Sequence, residues 1–84
     1  MGMFYEINFK PTSVKDLKKI DKKNQKVIIN KIEKMSDNLT GDIKKITNFT
    51  PEYRLRIGDY RVLFEIEGNN IIVYRIKHRK ESYN

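Results

Sequence analysis

All five arginines of this 84-residue chain (Arg54, Arg56, Arg61, Arg75 and Arg79) lie between residues 54 and 79, while the first half carries its positive charge on lysine alone. Lysine on helices is ordinary solvation. Arginine confined to strand-like segments is a planar, permanently charged, bidentate donor suited to phosphate. The run Tyr53-Arg54-Leu55-Arg56-Ile57-Gly58-Asp59-Tyr60-Arg61-Val62-Leu63-Phe64 concentrates it. Gly-X is the signature of a two-residue type II′ turn, so Gly58-Asp59 closes a hairpin that pairs Ile57 with Tyr60, Arg56 with Arg61, Leu55 with Val62 and Arg54 with Leu63. Side chains alternate across a sheet, which puts Tyr53, Leu55, Ile57, Tyr60, Val62 and Phe64 on one apolar face. Arg54, Arg56, Arg61, Leu63 and Glu65 share the other, with Glu52 at its end. Arg56 and Arg61, directly opposed, repel each other. This is either a plain solvated sheet face with Glu52 and Glu65 as counterions, or a set of guanidinium forks on a rigid sheet aimed at one phosphate.

The C-terminal stretch His78-Arg79-Lys80-Glu81-Ser82-Tyr83 adds a titratable imidazole, another guanidinium, and a tyrosine able to stack on a base or carry a proton. A surface histidine after a strand and an aromatic anchoring the tail are the plain alternatives. No P-loop, dinucleotide-binding glycine motif or zincin motif is present, and the single histidine, His78, rules out a Ser-His-Asp triad elsewhere. With no cysteine there is no disulfide framework and no thiolate metal site, and an all-carboxylate metal site does not suit a net charge of +7. Neither metal nor cofactor is expected. Metal-free phosphodiester chemistry remains. RNA brings its own nucleophile, the 2′-hydroxyl, and needs a base for that hydroxyl, positive charge at the phosphorus and an acid for the leaving 5′-oxygen. Arginine fills the middle role well and the base role poorly, since its pKa stays above about 12.

The elements that would position these groups fit one small domain spanning residues 1–84, with 38% hydrophobic and 35% charged residues. The charge favours a polyanionic partner, although a Lys-, Ile- and Asn-rich composition also follows from AT-rich coding alone. No run approaches the ~18 apolar residues of a membrane span, so no membrane association is expected and the cytoplasm is the expected location. Met3 to Phe9 reads as a first strand stopped by Pro11. Thr12 or Ser13 then caps a helix with Asp16 in its first turn and a Val14, Leu17, Ile20 stripe. From Lys22 a second helix carries Ile28, Ile32, Met35 and Leu39 on one face, ending with Gly41 as its C-cap. Ile43 to Thr50 is a loop with a possible edge segment. Glu52 to Ile57, Tyr60 to Glu67 and Ile71 to Lys77 are strands. A three-residue Gly68-Asn69-Asn70 loop sets Ile66 opposite Ile72, Phe64 opposite Tyr74 and Val62 opposite Ile76, and brings Arg75 and Lys77 onto the charged face. The expected fold is α+β, ordered β-α-α-β-β-β, with a helical hairpin packed on one face of a mainly antiparallel four-stranded sheet.

The hairpin of residues 53–64, the Ile-Ile-Val-Tyr strand, the His78-Arg79-Lys-Glu-Ser-Tyr83 tail and the early Phe9-Lys10-Pro11 before two helices together resemble the RelE/ParE superfamily of toxins from toxin–antitoxin pairs. The likeness covers nearly the whole chain. RelE-type members are endoribonucleases that cut messenger RNA in the ribosomal A site, neutralised by a co-expressed acidic, RelB-like antitoxin. The resemblance implies catalytic roles for Arg54, Arg56, Arg61, Arg79 and Tyr83, and RNA contacts from Arg75, Lys77 and Lys80. Well-known active members carry lysine where this chain has Arg54 and Arg56. Glu52, His78 or Tyr83 would then supply the base, or the reaction leans on positioning and charge. ParE-type relatives share the fold, bind DNA gyrase and have no nuclease site. A degenerate member that only binds its antitoxin is the third alternative.

Overall fold

Phe9 and Pro11 set the first corner: proline cannot extend a strand ladder, and its fixed φ suits the first turn of a helix. In the computed structural model, which describes residues 3–82, β1 (Glu6–Phe9) therefore gives way directly to α1 (Pro11–Lys18). The expected Thr12 or Ser13 cap is replaced by Lys10 at the cap position, with no side-chain capping bond. Both hydroxyls do other work. Thr12 Oγ1 donates to the Tyr74 carbonyl at 2.7 Å, and the fully buried Ser13 donates to the Lys10 carbonyl at 2.7 Å. Leu17 and Ile20 pack on the core, but Val14 is exposed.

Asp21 caps α2 (Lys22–Lys34), its carboxylate accepting from Asn24 N at 3.2 Å. Gln25 closes the helical joint by donating to the carbonyls of Leu17 (2.6 Å), which also accepts from Ile20 N, and Ile20 (2.8 Å). Ile28, Ile32 and Met35 are buried together, as their spacing requires, and Leu39 packs against them. The helix ends earlier than Gly41, at Lys34, and the chain turns through positive φ at Asn38 and Leu39.

The sheet has five strands where four were expected, because residues 43–45 form an edge strand, β2 (Ile43–Lys45). The others are β3 (Tyr53–Ile57), β4 (Tyr60–Glu67) and β5 (Asn70–His78), in the order β1-β5-β4-β3-β2, with β1 parallel to β5 and the rest antiparallel. A short α3 (Arg79–Ser82) follows β5. The first hairpin has the expected register throughout, Arg56 opposite Arg61 included, with Gly58 at φ 55° as the turn demands.

The second hairpin differs. Glu67 pairs with Asn70, so the loop is two residues, and Ile66 faces Ile71 while Phe64 faces Val73. A bulge between Leu63 and Phe64 then shifts the register, restoring Val62 opposite Ile76 and leaving Leu63 opposite Arg75. The buried residues of β5 explain it: Ile71, Val73 and Ile76 are spaced two and then three apart. An unbroken alternation cannot bury all three, and one extra residue re-phases it.

Past the end of β1 the free edge of β5 is covered by α1. Lys10 N donates to the Val73 carbonyl, Thr12 bonds Tyr74, and the Asp16 carboxylate accepts from Ile76 N (2.9 Å) and Arg75 Nε (2.8 Å). Asp16 is thus an anchor to the sheet, where a first-turn dipole partner was expected. Burial pushes its carboxyl up, but the Arg75 guanidinium and the Ile76 amide outweigh that and hold it below the usual carboxylate range. A depressed folded pKa means stability that is present above the unfolded value of about 3.9 and lost as pH falls through the folded one. Asp16→Asn is expected to cost about 1–3 kcal/mol at neutral pH. Urea unfolding of both proteins across pH should show the gap closing on the acid side of that value. None of the described helices is long and apolar enough to cross a membrane.

Candidate functional site

The helices cover one face of the sheet: Ile28, Ile32 and Met35 meet Leu55, Val62, Phe64, Ile71 and Val73 there. Residues of opposite parity point the other way. Because Arg56 pairs with Arg61 and Arg61 with Lys77, three cations stand in one row across β3, β4 and β5. In the next row Arg54 pairs with Leu63, and Leu63 with Arg75. The two rows beyond pair Glu65 with Ile72 and Glu67 with Asn70, so the face is basic only toward the Gly58-Asp59 turn. That turn gathers further groups. Arg61 Nη1 donates to the carbonyls of Gly58 (2.8 Å) and Tyr60 (3.0 Å), holding the guanidinium over the turn. Arg79 N donates to the Asp59 carbonyl at 2.7 Å, and its Nε lies 3.7 Å from the Asp59 carboxylate. The structure therefore brings Arg56, Arg61, Lys77 and Arg79 to one end of the sheet.

The counterions are not the expected ones. Glu65 is buried and accepts from the backbone amides of Glu52 (3.3 Å) and Ile66 (3.1 Å), while Glu52 pairs with Lys45 at 3.1 Å. Asp42 takes their place, with Arg56 Nε at 2.7 Å and Arg54 Nη2 at 3.7 Å. Gly41 delivers it. Its φ is 141°, and a Cβ there would stand 2.7 Å from Cδ1 of the buried Leu55. Gly41→Ala should therefore cost about 1–3 kcal/mol in urea unfolding, from the backbone conformation and the clash together.

Several expected site residues sit apart from the basic row. Glu52 is four residues from Arg56 along the chain, about 13 Å at the rise of a strand. His78 pairs with Tyr60 and meets its ring edge to face at 5.4 Å on the helix side, lining a cavity of about 320 Å³ with Asn24, Val27 and Asp59. Its Nδ1 accepts from Lys80 N at 3.3 Å. Arg75 lies on the open face by register but its guanidinium is held by Asp16. Lys80 is exposed on α3, and Tyr83 lies outside the described residues. Sequence reasoning missed Asp42, Asp59 and Gly41; the only signal was a Gly-Asp pair ahead of a two-lysine edge segment.

Comparison with known proteins shows the family. The family model described as the ParE toxin of type II toxin–antitoxin systems matches residues 7–83. A relative from Methanocaldococcus jannaschii, Toxin RelE3, is 39% identical over 83 residues, covering 93% of this chain and 94% of its own. The toxin in a crystal structure of the RelB–RelE antitoxin–toxin complex from Methanococcus jannaschii superposes with a TM-score of 0.76 at 41% identity, covering 90% of this chain and 94% of that one. The RelBE2 complex from Mycobacterium tuberculosis contains the same fold, with a TM-score of 0.80 at 21% identity and coverage of 92% and 93%. An open arginine face, a helical hairpin behind it and matches running almost end to end make this chain a member of the RelE/ParE superfamily of toxins.

Proposed function

We propose that this chain acts in the cytoplasm as a ribosome-dependent mRNA endoribonuclease that inhibits translation, and that a RelB-like acidic antitoxin neutralises it. The observation that carries this reading is the row Arg56, Arg61 and Lys77 on the open face, with Arg79 pinned to the same end. Three cations within neighbouring strand spacings repel one another in the free protein, and an RNA phosphate placed among them relieves that repulsion. The 2′-oxygen of the substrate forms a bond to phosphorus and the bond from phosphorus to the 5′-oxygen breaks. The hydroxyl proton is lost and the 5′-oxygen gains one, leaving a 2′,3′-cyclic phosphate and a 5′-hydroxyl.

Arg61 and Arg56 hold the phosphate and neutralise charge as it develops, Arg79 favours the leaving oxygen, and Tyr83 stacks on the substrate base. Arg54 supports the same phosphate region, and Lys77 and Lys80 contact the flanking backbone. With Glu52 engaged by Lys45 and His78 on the helix side, neither stands at this row, which leaves Tyr83 as the base or a rate enhancement that rests on positioning and charge. Lysines on α1 and α2 give a diffuse surface for ribosomal RNA. The complexes solved for RelE relatives support the antitoxin assignment. The ParE description of the matching family model keeps one rival, a toxin that binds DNA gyrase. Induced expression followed by mapping of mRNA 5′ ends separates the two: cuts within A-site codons support the nuclease, and growth arrest with intact message supports the gyrase reading.

A further inference from the structure

Arg54 and Arg56 share a single carboxylate, and they share it unequally. Asp42 makes a short bond to Arg56 Nε at 2.7 Å, while Arg54 Nη2 stays 3.7 Å away, beyond hydrogen-bonding distance. The Arg54 side chain is only 19% exposed, and its Nε is buried without a hydrogen-bond partner. That nitrogen is enclosed, and the Arg54 donor that faces the carboxylate is Nη2. The pair therefore carries one positive charge beyond its counterion, and Arg54 Nη2 makes no short bond to it. The backbone of Asp42 is fixed, since its carbonyl accepts from Arg56 N at 3.0 Å, yet its side chain is 48% exposed and borders solvent.

We propose that Arg54 and Arg56 form a phosphate seat for single-stranded RNA that Asp42 occupies in the free protein, and that an RNA phosphodiester engages the seat by displacing the Asp42 carboxylate. This rests on the RNA reading above and adds to it a carboxylate that competes with the substrate. A phosphodiester matches the carboxylate in charge and in its pair of free oxygens, and its larger tetrahedral centre reaches Arg54 as well as Arg56. Asp42 thereby weakens binding of RNA that offers only its backbone and favours substrate held in place by additional contacts.

The test is the affinity of a 2′-O-methylated single-stranded RNA, whose nucleophile is blocked, measured across a salt series. Asp42→Asn should tighten binding about fivefold at low salt, with the slope of log affinity against log salt near that of the wild type, because the same phosphates are engaged. Asp37→Asn removes the same charge from an exposed position on the loop after α2 and should tighten binding far less. In an Arg54→Ala/Arg56→Ala background, Asp42→Asn should change nothing. Asp42→Ser, checked for a cooperative unfolding transition alongside the wild type, gives the same expectation through a different side chain.

Equal gains from Asp42→Asn and Asp37→Asn, a gain that persists without the two arginines, or no gain at all would each overturn the seat. Arg61→Ala separates the two levels of inference. If it weakens binding while Asp42→Asn leaves binding unchanged, the RNA reading stands and the seat falls. If neither variant alters binding from the wild-type level, both fall.

Discussion

Arg61→Ala should lower single-turnover cleavage of ribosome-bound message by about 10²–10³-fold, the usual effect of deleting one donor aimed at developing charge. The geometry makes this residue the sharpest probe of the open face. Arg61 sits in the central strand of the basic row, between Arg56 and Lys77, and its guanidinium is positioned by the carbonyls of Gly58 and Tyr60. Those two bonds fix the fork without neutralising it, so its charge remains available to an anion. Neither bond belongs to the core, and removing the side chain relieves repulsion with Arg56. Urea unfolding should therefore show stability within about 0.5 kcal/mol of wild type, as for surface substitutions generally. Arg61→Lys keeps the charge but loses the planar fork, and should recover only part of the rate. A folded variant that cleaves normally would remove the residue from the site.

Phe64→Ala is expected to have the largest effect on stability, about 3–5 kcal/mol. Phe64 is fully buried at the centre of the sheet, opposite Tyr53 on β3 and Val73 on β5, and its ring stacks on Tyr53 with centroids 5.6 Å apart. It also sits at the register shift of the β4–β5 ladder. A domain of this size has only about 5–15 kcal/mol to lose. Urea unfolding should show a sharply lowered midpoint, with much of the variant already unfolded at growth temperature. The basic row should fall apart with it, because β4 carries both Phe64 and Arg61. Stabilisation by a bound antitoxin is the expected rescue, since a partner that binds only the folded state shifts the equilibrium by mass action.

Much of this was legible in the sequence because hairpin chemistry is local. Gly58-Asp59 between alternating strands fixes its own register, and with it the opposition of Arg56 and Arg61. The stripe of Ile28, Ile32 and Met35 is equally local and marks the covering helix. What escaped was non-local. The bulge is visible only as an irregular spacing of Ile71, Val73 and Ile76, and an unbroken strand with a longer loop explains the same letters almost as well. The edge strand Ile43–Lys45 has too few residues to show a period, and it forms because Leu55, Arg54 and Tyr53 offer it a free ladder. Counterion choice is the clearest case. Glu52 lies just ahead of β3 and Glu65 on β4, near the arginines in sequence, but tertiary structure turns them to Lys45 and to backbone amides and brings in Asp42 from a loop.

The most direct test of phosphoryl transfer at the basic row is cleavage of two messages by the wild-type protein on programmed ribosomes, differing only at the nucleotide whose 2′-hydroxyl would attack. The all-ribose message should be cut in the A-site codon, leaving a 2′,3′-cyclic phosphate and a 5′-hydroxyl, and the message with a 2′-deoxy nucleotide there should survive intact. Equal cleavage of both, or cleavage of neither, would contradict it.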